Sequence, residues 1–229
     1  RTEQFLKEEL QPFFADMKAR GVEMPEFEKF LHARHAPEAN AEMAKRNPNQ
    51  KQIDAGRQKS AATVRGLELN MQTARARGLA TVAIEKALTD ARAELAKWNS
   101  AQAFKGTEAE RLSLSGMSNA DASALMASLT PAQRADMNAL AAKVDAINEG
   151  TLQTLERYGL MDKTALNAWR NTYKHYVPLH RDEAHPDSTS HPIGQGFNVR
   201  GDASKRRTGS NQEVTNIFGH IAMQREAAL

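Results

Sequence analysis

The sequence contains no cysteine in its 229 residues, and only 6% of the residues are aromatic. The absence of cysteine excludes disulfides, thiolate metal ligands and a cysteine nucleophile. No apolar run approaches the roughly 20 residues that a membrane-spanning helix needs, so we expect no integral membrane segment. No stretch alternates apolar and polar residues for long enough to indicate a sheet strand.

The residues that are abundant instead favour helices. Ala, Leu, Glu, Lys, Arg, Gln and Met dominate long stretches, and these are the better helix formers. The sequence therefore predicts an all-α fold, an elongated multi-helix assembly with one long irregular loop near its C-terminal end. The chain starts at Arg1 in a helical pattern, without Met or a signal peptide, so we expect it to be a segment of a larger protein.

Breaks in the helical pattern predict three regions. Residues 1–48 form N-terminal helices, residues 49–114 form a basic helical insertion, and residues 115–229 form a helical core. Pro37 is expected to interrupt the second helix, because proline lacks a backbone N–H donor. Residues 50–77 form a helix whose apolar face is thin, which predicts that it is either mobile or packed on a partner outside the chain.

Local capping chemistry predicts where later helices begin and end. Ser118 with Asp121, and Thr130 with Gln133, have the spacing of a hydroxyl N-cap and a side chain three residues on. Gly159 is placed to end the long helix that Thr130 begins, since glycine adopts the left-handed conformation readily.

Residues 173–209 form the predicted loop, which is rich in proline, glycine and histidine. Connections of this length inside a compact domain are usually functional, disordered or docked on a partner. Within it, the motif residues are Tyr176, Pro178, Leu179, Arg181 and Asp182. We expect an extended segment that inserts Tyr176 and Leu179 into the helical core, with Arg181 and Asp182 reaching neighbouring partners.

Histidines suggest chemistry in the loop without defining a site. His175, His180, His185 and His191 are ligand types, but their spacing matches no rigid metal frame, so we predict no metal site. His175, His180 and Asp182 leave an enzyme hypothesis open, although no complete catalytic site is evident and no catalytic residue is assigned. The loop glycines do not fit a nucleotide-binding pattern, so no cofactor is predicted. His32 and His35 are interpreted as surface or interfacial residues.

Two basic clusters are candidate contacts for phosphate, DNA or an acidic partner. The first contains Lys45, Arg46, Arg57, Arg65, Arg75 and Arg77, and the second contains Arg200, Lys205, Arg206 and Arg207. The alternative is that both are solvated surfaces, since runs of like charge are weak evidence for a partner.

Four motifs occur in order along the chain: His32–Glu38, Ser115–Ser118, Trp169–Asp182 and Gly194–Gly209. Together they resemble a helical region of the large polyvalent proteins of bacteriophages and mobile elements, which carry a Pro-Leu-x-Arg motif. That region is similar to parts of antirestriction proteins of the DarB type and of giant internal virion (ejection) proteins. In this chain, Pro178, Leu179 and Arg181 match the motif.

The resemblance implies a structural and interaction segment of a phage internal virion protein that acts in genome delivery. Such a protein is carried inside the virion and delivered to the host envelope or cytoplasm, so its partners are expected to be other virion proteins, copies of itself and DNA. An antirestriction module that protects DNA and an enzyme with a site on residues 175–182 are the alternatives. The resemblance assigns no catalytic residue to this segment.

Overall fold

The computed structural model describes residues 2–179 and 216–229, and these ranges contain helices and connections but no strand. The predicted all-α fold is therefore confirmed. Residues 173–179 of the predicted loop are not helical, whereas residues 180–209 lie outside the described ranges. No helix within those ranges combines the length and the apolarity that a bilayer crossing requires.

The chain divides into two compact units, one made of Arg1–Met43 with Leu112–Leu229 and the other of Ala44–Arg111. The helices are α1 (Thr2–Phe5), α2 (Gln11–Ala19), α3 (Met24–Arg46), α4 (Gln50–Ala76), α5 (Val82–Ser100), α6 (Glu108–Arg111), α7 (Asn119–Ser128), α8 (Pro131–Arg157), α9 (Lys163–Thr172) and α10 (Ile217–Ala228). A π-helical turn, Leu6–Leu10, joins α1 to α2.

The predicted helix ends are confirmed where local chemistry sets them. The Ser118 hydroxyl accepts the backbone N–H of Asp121 at 3.0 Å, and the Thr130 hydroxyl accepts that of Gln133 at 3.2 Å. The Gln133 side chain in turn accepts the Thr130 backbone N–H, which completes a capping box. Gly159 follows α8 with a φ of +67°, in the left-handed region that favours glycine.

The predicted interruption at Pro37 is wrong, because α3 continues through it to Arg46. A proline inside a helix costs about 3 kcal/mol through its lost hydrogen bond and its clash with the preceding turn. Burial on both sides of Pro37 offsets that cost. Phe27 and Phe30 are buried before the proline, and Ala39 is buried after it, while the proline ring itself lies on the exposed side.

Aromatic and aliphatic side chains from distant parts of the chain form the core of the first unit. Phe13 of α2 stacks on Phe218 of α10 with ring centroids 4.4 Å apart, and it also contacts Phe27 of α3. The buried face of α8 contributes Met137, Leu140, Ala141, Val144 and Ile147. These residues are one, three or four positions apart, so they lie on one side of a regular helix, and this side packs into the core.

The second unit is built on an antiparallel hairpin of α4 and α5. Its seam residues recur alternately at four and three positions, which is the spacing of a coiled coil. They are Ile53, Arg57, Ser60, Val64, Leu67, Met71 and Ala74 on α4, and Ile84, Leu88, Ala91, Leu95 and Trp98 on α5. Ion pairs from Glu68 to Arg92 (2.8 Å) and from Arg75 to Glu85 (3.6 Å) flank the seam. The thin apolar face of α4 is therefore covered by α5 of the same chain, which corrects the expected mobility or external partner.

A buried arginine secures the open end of this hairpin. Arg111, only 5% exposed, donates to the carbonyl oxygens of Ala44 and Asn47 at 3.1 and 3.4 Å. It also forms an ion pair of 2.6 Å with Glu108. The Arg111 hydrogen bond is the main cause that lowers the pKa of Glu108 to about 2, so this carboxylate stays ionised at any physiological pH.

Replacing either of two glycines of α4 by alanine should have opposite effects on stability. A Cβ at Gly56 would lie within 2.7 Å of three atoms of the Trp98 indole, whereas one at Gly66 would meet open space. We expect Gly66→Ala to stabilise the protein by about 0.5–1 kcal/mol through helix propensity. Gly56→Ala should destabilise it by about 1–3 kcal/mol, because the indole must move. Urea unfolding measures both, and equal stabilisation by the two variants would contradict the packing of Trp98 on Gly56.

Candidate functional site

The motif His32–Glu38 lies on α3, where it contributes to a buried face that is partly polar. His32, His35 and Asn40 are 7%, 3% and 2% exposed, and alanines are buried between them at positions 33, 36 and 39. Small alanine side chains let other chain segments approach the α3 backbone closely. The polar groups beside them then need hydrogen-bond partners, because an unpaired buried polar group costs about 1–3 kcal/mol.

The motif Ser115–Ser118 meets the first part of this face. Asn40 accepts the backbone N–H of Ser115 at 2.8 Å and donates to the carbonyl oxygen of Met117 at 2.9 Å. His32 Nε2 lies 3.0 Å from the carbonyl oxygen of Ser115. Since a carbonyl oxygen only accepts, Nε2 must carry the proton. Gly116 adopts a φ of +92° between these contacts, so the turn requires a residue that tolerates the left-handed side of the map.

The start of the motif Trp169–Asp182 meets the second part of the face. The Glu38 carboxylate accepts the backbone N–H groups of Lys174 and His175, each at 3.1 Å. Arg34 Nη2 donates to Asp145 at 2.8 Å and to His175 Nδ1 at 2.7 Å. Because arginine has no acceptor, Nδ1 of His175 must be unprotonated in this contact.

Aromatic rings enclose the polar contacts. Tyr173 and Tyr176 have ring centroids 5.4 and 5.6 Å from that of His35, and Tyr176 also meets Trp169 edge to face at 4.8 Å. Asn148 of α8 donates to the carbonyl oxygen of Tyr176 at 2.8 Å. The extended segment after α9 is therefore held from two helices through its backbone and through its rings.

Burial and hydrogen bonding set opposite charge states in this site. Burial lowers the pKa of His35, and the neighbouring Glu38 only partly opposes that effect. Burial alone would raise the pKa of Glu38, but His35 and the backbone N–H groups of His175 and Lys174 outweigh it, so this pKa is lowered. At neutral pH the site therefore combines a neutral His35 with an ionised Glu38, 3.7 Å apart between Nδ1 and Oε2.

The motif residues predicted from sequence occupy different environments. Leu179 is buried in the core of the first unit together with Val177, and Pro178 is buried between them. Tyr176 is half-buried in the aromatic enclosure rather than in that core. Arg181 and Asp182 lie outside the described residues.

The interpretation of His32 and His35 as surface or interfacial residues is wrong, since both are buried inside the first unit. Sequence reasoning also missed Arg34, Glu38 and Asn40 as the groups that hold the other two motifs. Polar residues placed between alanines that repeat at positions 33, 36 and 39 of the helix were the available signal.

Only one of the four histidines considered as metal ligands lies within the described residues. His175 contacts Arg34, whereas His180, His185 and His191 lie outside the described ranges. Within residues 2–179 and 216–229, no three His, Asp or Glu side chains are grouped so that they could hold a metal ion.

Members of the first basic cluster differ in their contacts within the hairpin. Arg57 donates to the carbonyl oxygens of Trp98 and Asn99 at 3.1 and 3.4 Å, and Arg75 pairs with Glu85. Arg65 and Arg77 are exposed on α4 and at its C-cap.

The remaining members of the basic clusters lie elsewhere. Lys45 and Arg46 are exposed in the last turn of α3. The second cluster, Arg200, Lys205, Arg206 and Arg207, lies outside the described residues.

Comparison of the chain with protein-family models, curated proteins and solved structures finds no match. The site is therefore interpreted from its own geometry. Three of the four motifs reach into the described residues, and α3 brings them together. The polar groups of the motifs mostly bind one another or the backbone, an arrangement that holds chain segments in place.

The Glu38 carboxylate provides a direct test of this arrangement. Glu38→Gln removes the charge from the acceptor of two backbone N–H groups, and hydrogen bonds to charged groups contribute about 1.5–3 kcal/mol. We expect a loss of about 1–3 kcal/mol in the free energy of unfolding. Glu26→Gln, at an exposed position of the same helix, is the control and should change stability by less than about 0.5 kcal/mol. Equal effects of the two substitutions would show that Glu38 does not hold the segment.

The buried His35 predicts a pH dependence of stability. Its pKa is lowered from 6.5 in the folded state, so below that pH the unfolded chain takes up a proton that the folded chain does not. Stability should therefore be complete above pH 6.5 and fall as the pH decreases towards 5. Denaturant unfolding across this range should show a smaller decrease in His35→Gln than in the original protein. An unchanged slope in His35→Gln would contradict the prediction.

Proposed function

We propose that this chain is a structural and interaction segment of a bacteriophage internal virion protein that acts in genome delivery. The observation that carries the proposal is the convergence of three motifs of the resemblance on α3. Asn40 binds the Ser115–Ser118 motif, and Glu38 binds the segment that follows α9. The groups most suggestive of chemistry are thus used to hold the first unit together.

The absence of cysteine and the all-α fold are compatible with this role. A protein delivered with a genome has to pass a narrow channel and refold, and a chain without cysteine cannot form wrong disulfides on the way. Helices rely on local backbone hydrogen bonds, and proteins rich in local contacts fold quickly. Other virion proteins or copies of the same chain are the proposed partners.

An antirestriction module that protects incoming DNA is the second candidate. The exposed basic side chains of α4 favour this candidate, because phosphate groups can reach them. An enzyme with a site on residues 175–182 has less support from the contacts. His175, its first member, is already engaged by Arg34, and its backbone is held by Glu38.

Mass spectrometry of purified virions tests the proposal, together with the oligomeric state of the purified chain in analytical ultracentrifugation. We expect peptides of this chain inside DNA-filled particles and self-association or binding to another virion protein. A monomeric chain whose parent protein is missing from virions would overturn the proposal.

Plating the phage on hosts with and without a restriction system separates the second candidate. Disruption of the segment should reduce infection of both hosts equally if it acts in genome delivery. A defect confined to the restricting host would instead support DNA protection.

A further inference from the structure

Helix α4 carries an excess of positive charge. The α4 range carries five basic and two acidic residues, whereas α5 carries three of each. Both acids of α4 lie beside basic or amide partners. Glu68 pairs with Arg92 of α5, and Asp54 lies 3.7 Å from Arg57 and accepts from Gln50 at 2.8 Å. Each carboxylate of α4 therefore has a partner close by, Glu68 next to the seam and Asp54 at an exposed position.

The basic residues on the side away from α5 have no such compensation. Lys51, Lys59 and Arg65 are exposed, and they make no side-chain hydrogen bond or ion pair within the part of the chain that the structure describes. Asp54 is the carboxylate of α4 on this side, where it is exposed and already contacts Arg57 and Gln50. The other exposed residues on this side include Gln52, Asp54, Ala55, Gln58, Ala62, Gly66, Leu69, Gln72, Thr73 and Ala76. We call this surface, with its three cations, the outer face of α4.

The composition of the outer face suits a phosphodiester backbone. Lys51 and Arg65 are separated by about 21 Å along the helix, from the rise of 1.5 Å per residue. Duplex DNA carries one charge per about 1.7 Å of its axis, so it offers phosphates along this whole length. Alanine and glycine between the cations allow close approach, and glutamine amides can donate to phosphate oxygens.

The same composition argues against other partners. A second copy of this face would bring like charges together. A single strand is normally bound by aromatic side chains that stack on its bases, and α4 contains no aromatic residue. We propose that the outer face of α4 binds the phosphate backbone of duplex DNA without sequence preference. This inference extends the proposed function by naming a partner, and rests on it only for the source of the DNA.

Fluorescence anisotropy of a labelled 20-base-pair duplex with the full chain tests the proposal. Neutralising three phosphates predicts a slope of about −2.7 for the logarithm of affinity against the logarithm of salt concentration. The affinity should then fall about 40-fold between 50 and 200 mM salt. The triple variant K51Q, K59Q and R65Q should lose this salt-dependent binding, with at least a tenfold weaker affinity at 50 mM salt and unchanged helicity in circular dichroism.

A matched control distinguishes binding through the outer face of α4 from an effect of net charge alone. The triple variant K86Q, K97Q and K105Q removes the same charge from exposed positions on α5 and the connection after it, and it should bind as the original protein does. Equal losses in both triple variants would overturn the proposal. So would binding that is lost only when Arg200, Lys205, Arg206 and Arg207 are replaced by Gln.

Competition identifies the partner. An unlabelled duplex should displace the label, whereas a single strand of the same length or polyglutamate should compete at least tenfold less well. Competition by polyglutamate as strong as that of the duplex would reassign the face to an acidic protein partner and overturn the proposal. Virion residence is measured independently, so failure of DNA binding and failure of the proposed function remain distinguishable.

Discussion

Burial of the polar face of α3 is the constraint on which the first unit depends. Asn40 and His35 are almost completely enclosed, and Glu38 lies beside them. Each group that lost its water without gaining a partner would cost a large share of the stability of a typical domain. Asn40 and Glu38 meet this requirement with two loops that present backbone N–H groups to α3, Ser115 to Asn40 and the segment after α9 to Glu38. Nδ1 of His35 makes no hydrogen bond within the described residues.

Local chemistry made part of this fold predictable. The N-caps at Ser118 and Thr130 join residues three positions apart, and the turn at Gly159 depends on one residue's conformational freedom. The all-α fold follows from composition in the same way. By contrast, Asn40 meets Ser115 across 75 positions of the chain, and Glu38 meets His175 across 137. Neither periodicity nor capping rules contain such pairings, which is why a helix through Pro37 and a buried His35 were not foreseen.

The hairpin illustrates a different limit of sequence reasoning. The seam of α4 contains Arg57 and Ser60, so on its own it looks too polar to be buried. The missing part is supplied by α5, whose Trp98 covers Gly56 and whose backbone carbonyls receive the Arg57 guanidinium. Only the pairing of the two helices decides which basic side chains of α4 bind within the hairpin and which face outward. The structure thus divides the basic cluster into side chains that bind within the hairpin and side chains that are exposed to solvent.

Residues on either side of the stretch 180–215 reach the same core. Leu179 before it and Ile217 after it are both buried in the same core as Val144. The backbone of Phe218 is further held by Glu28 of α3 at 2.9 Å. Loop closure costs little more for a long connection than for a short one, so the first unit can carry this stretch without losing its core. The core that the α3 contacts define therefore holds the chain on both sides of that stretch, at Leu179 and at Ile217.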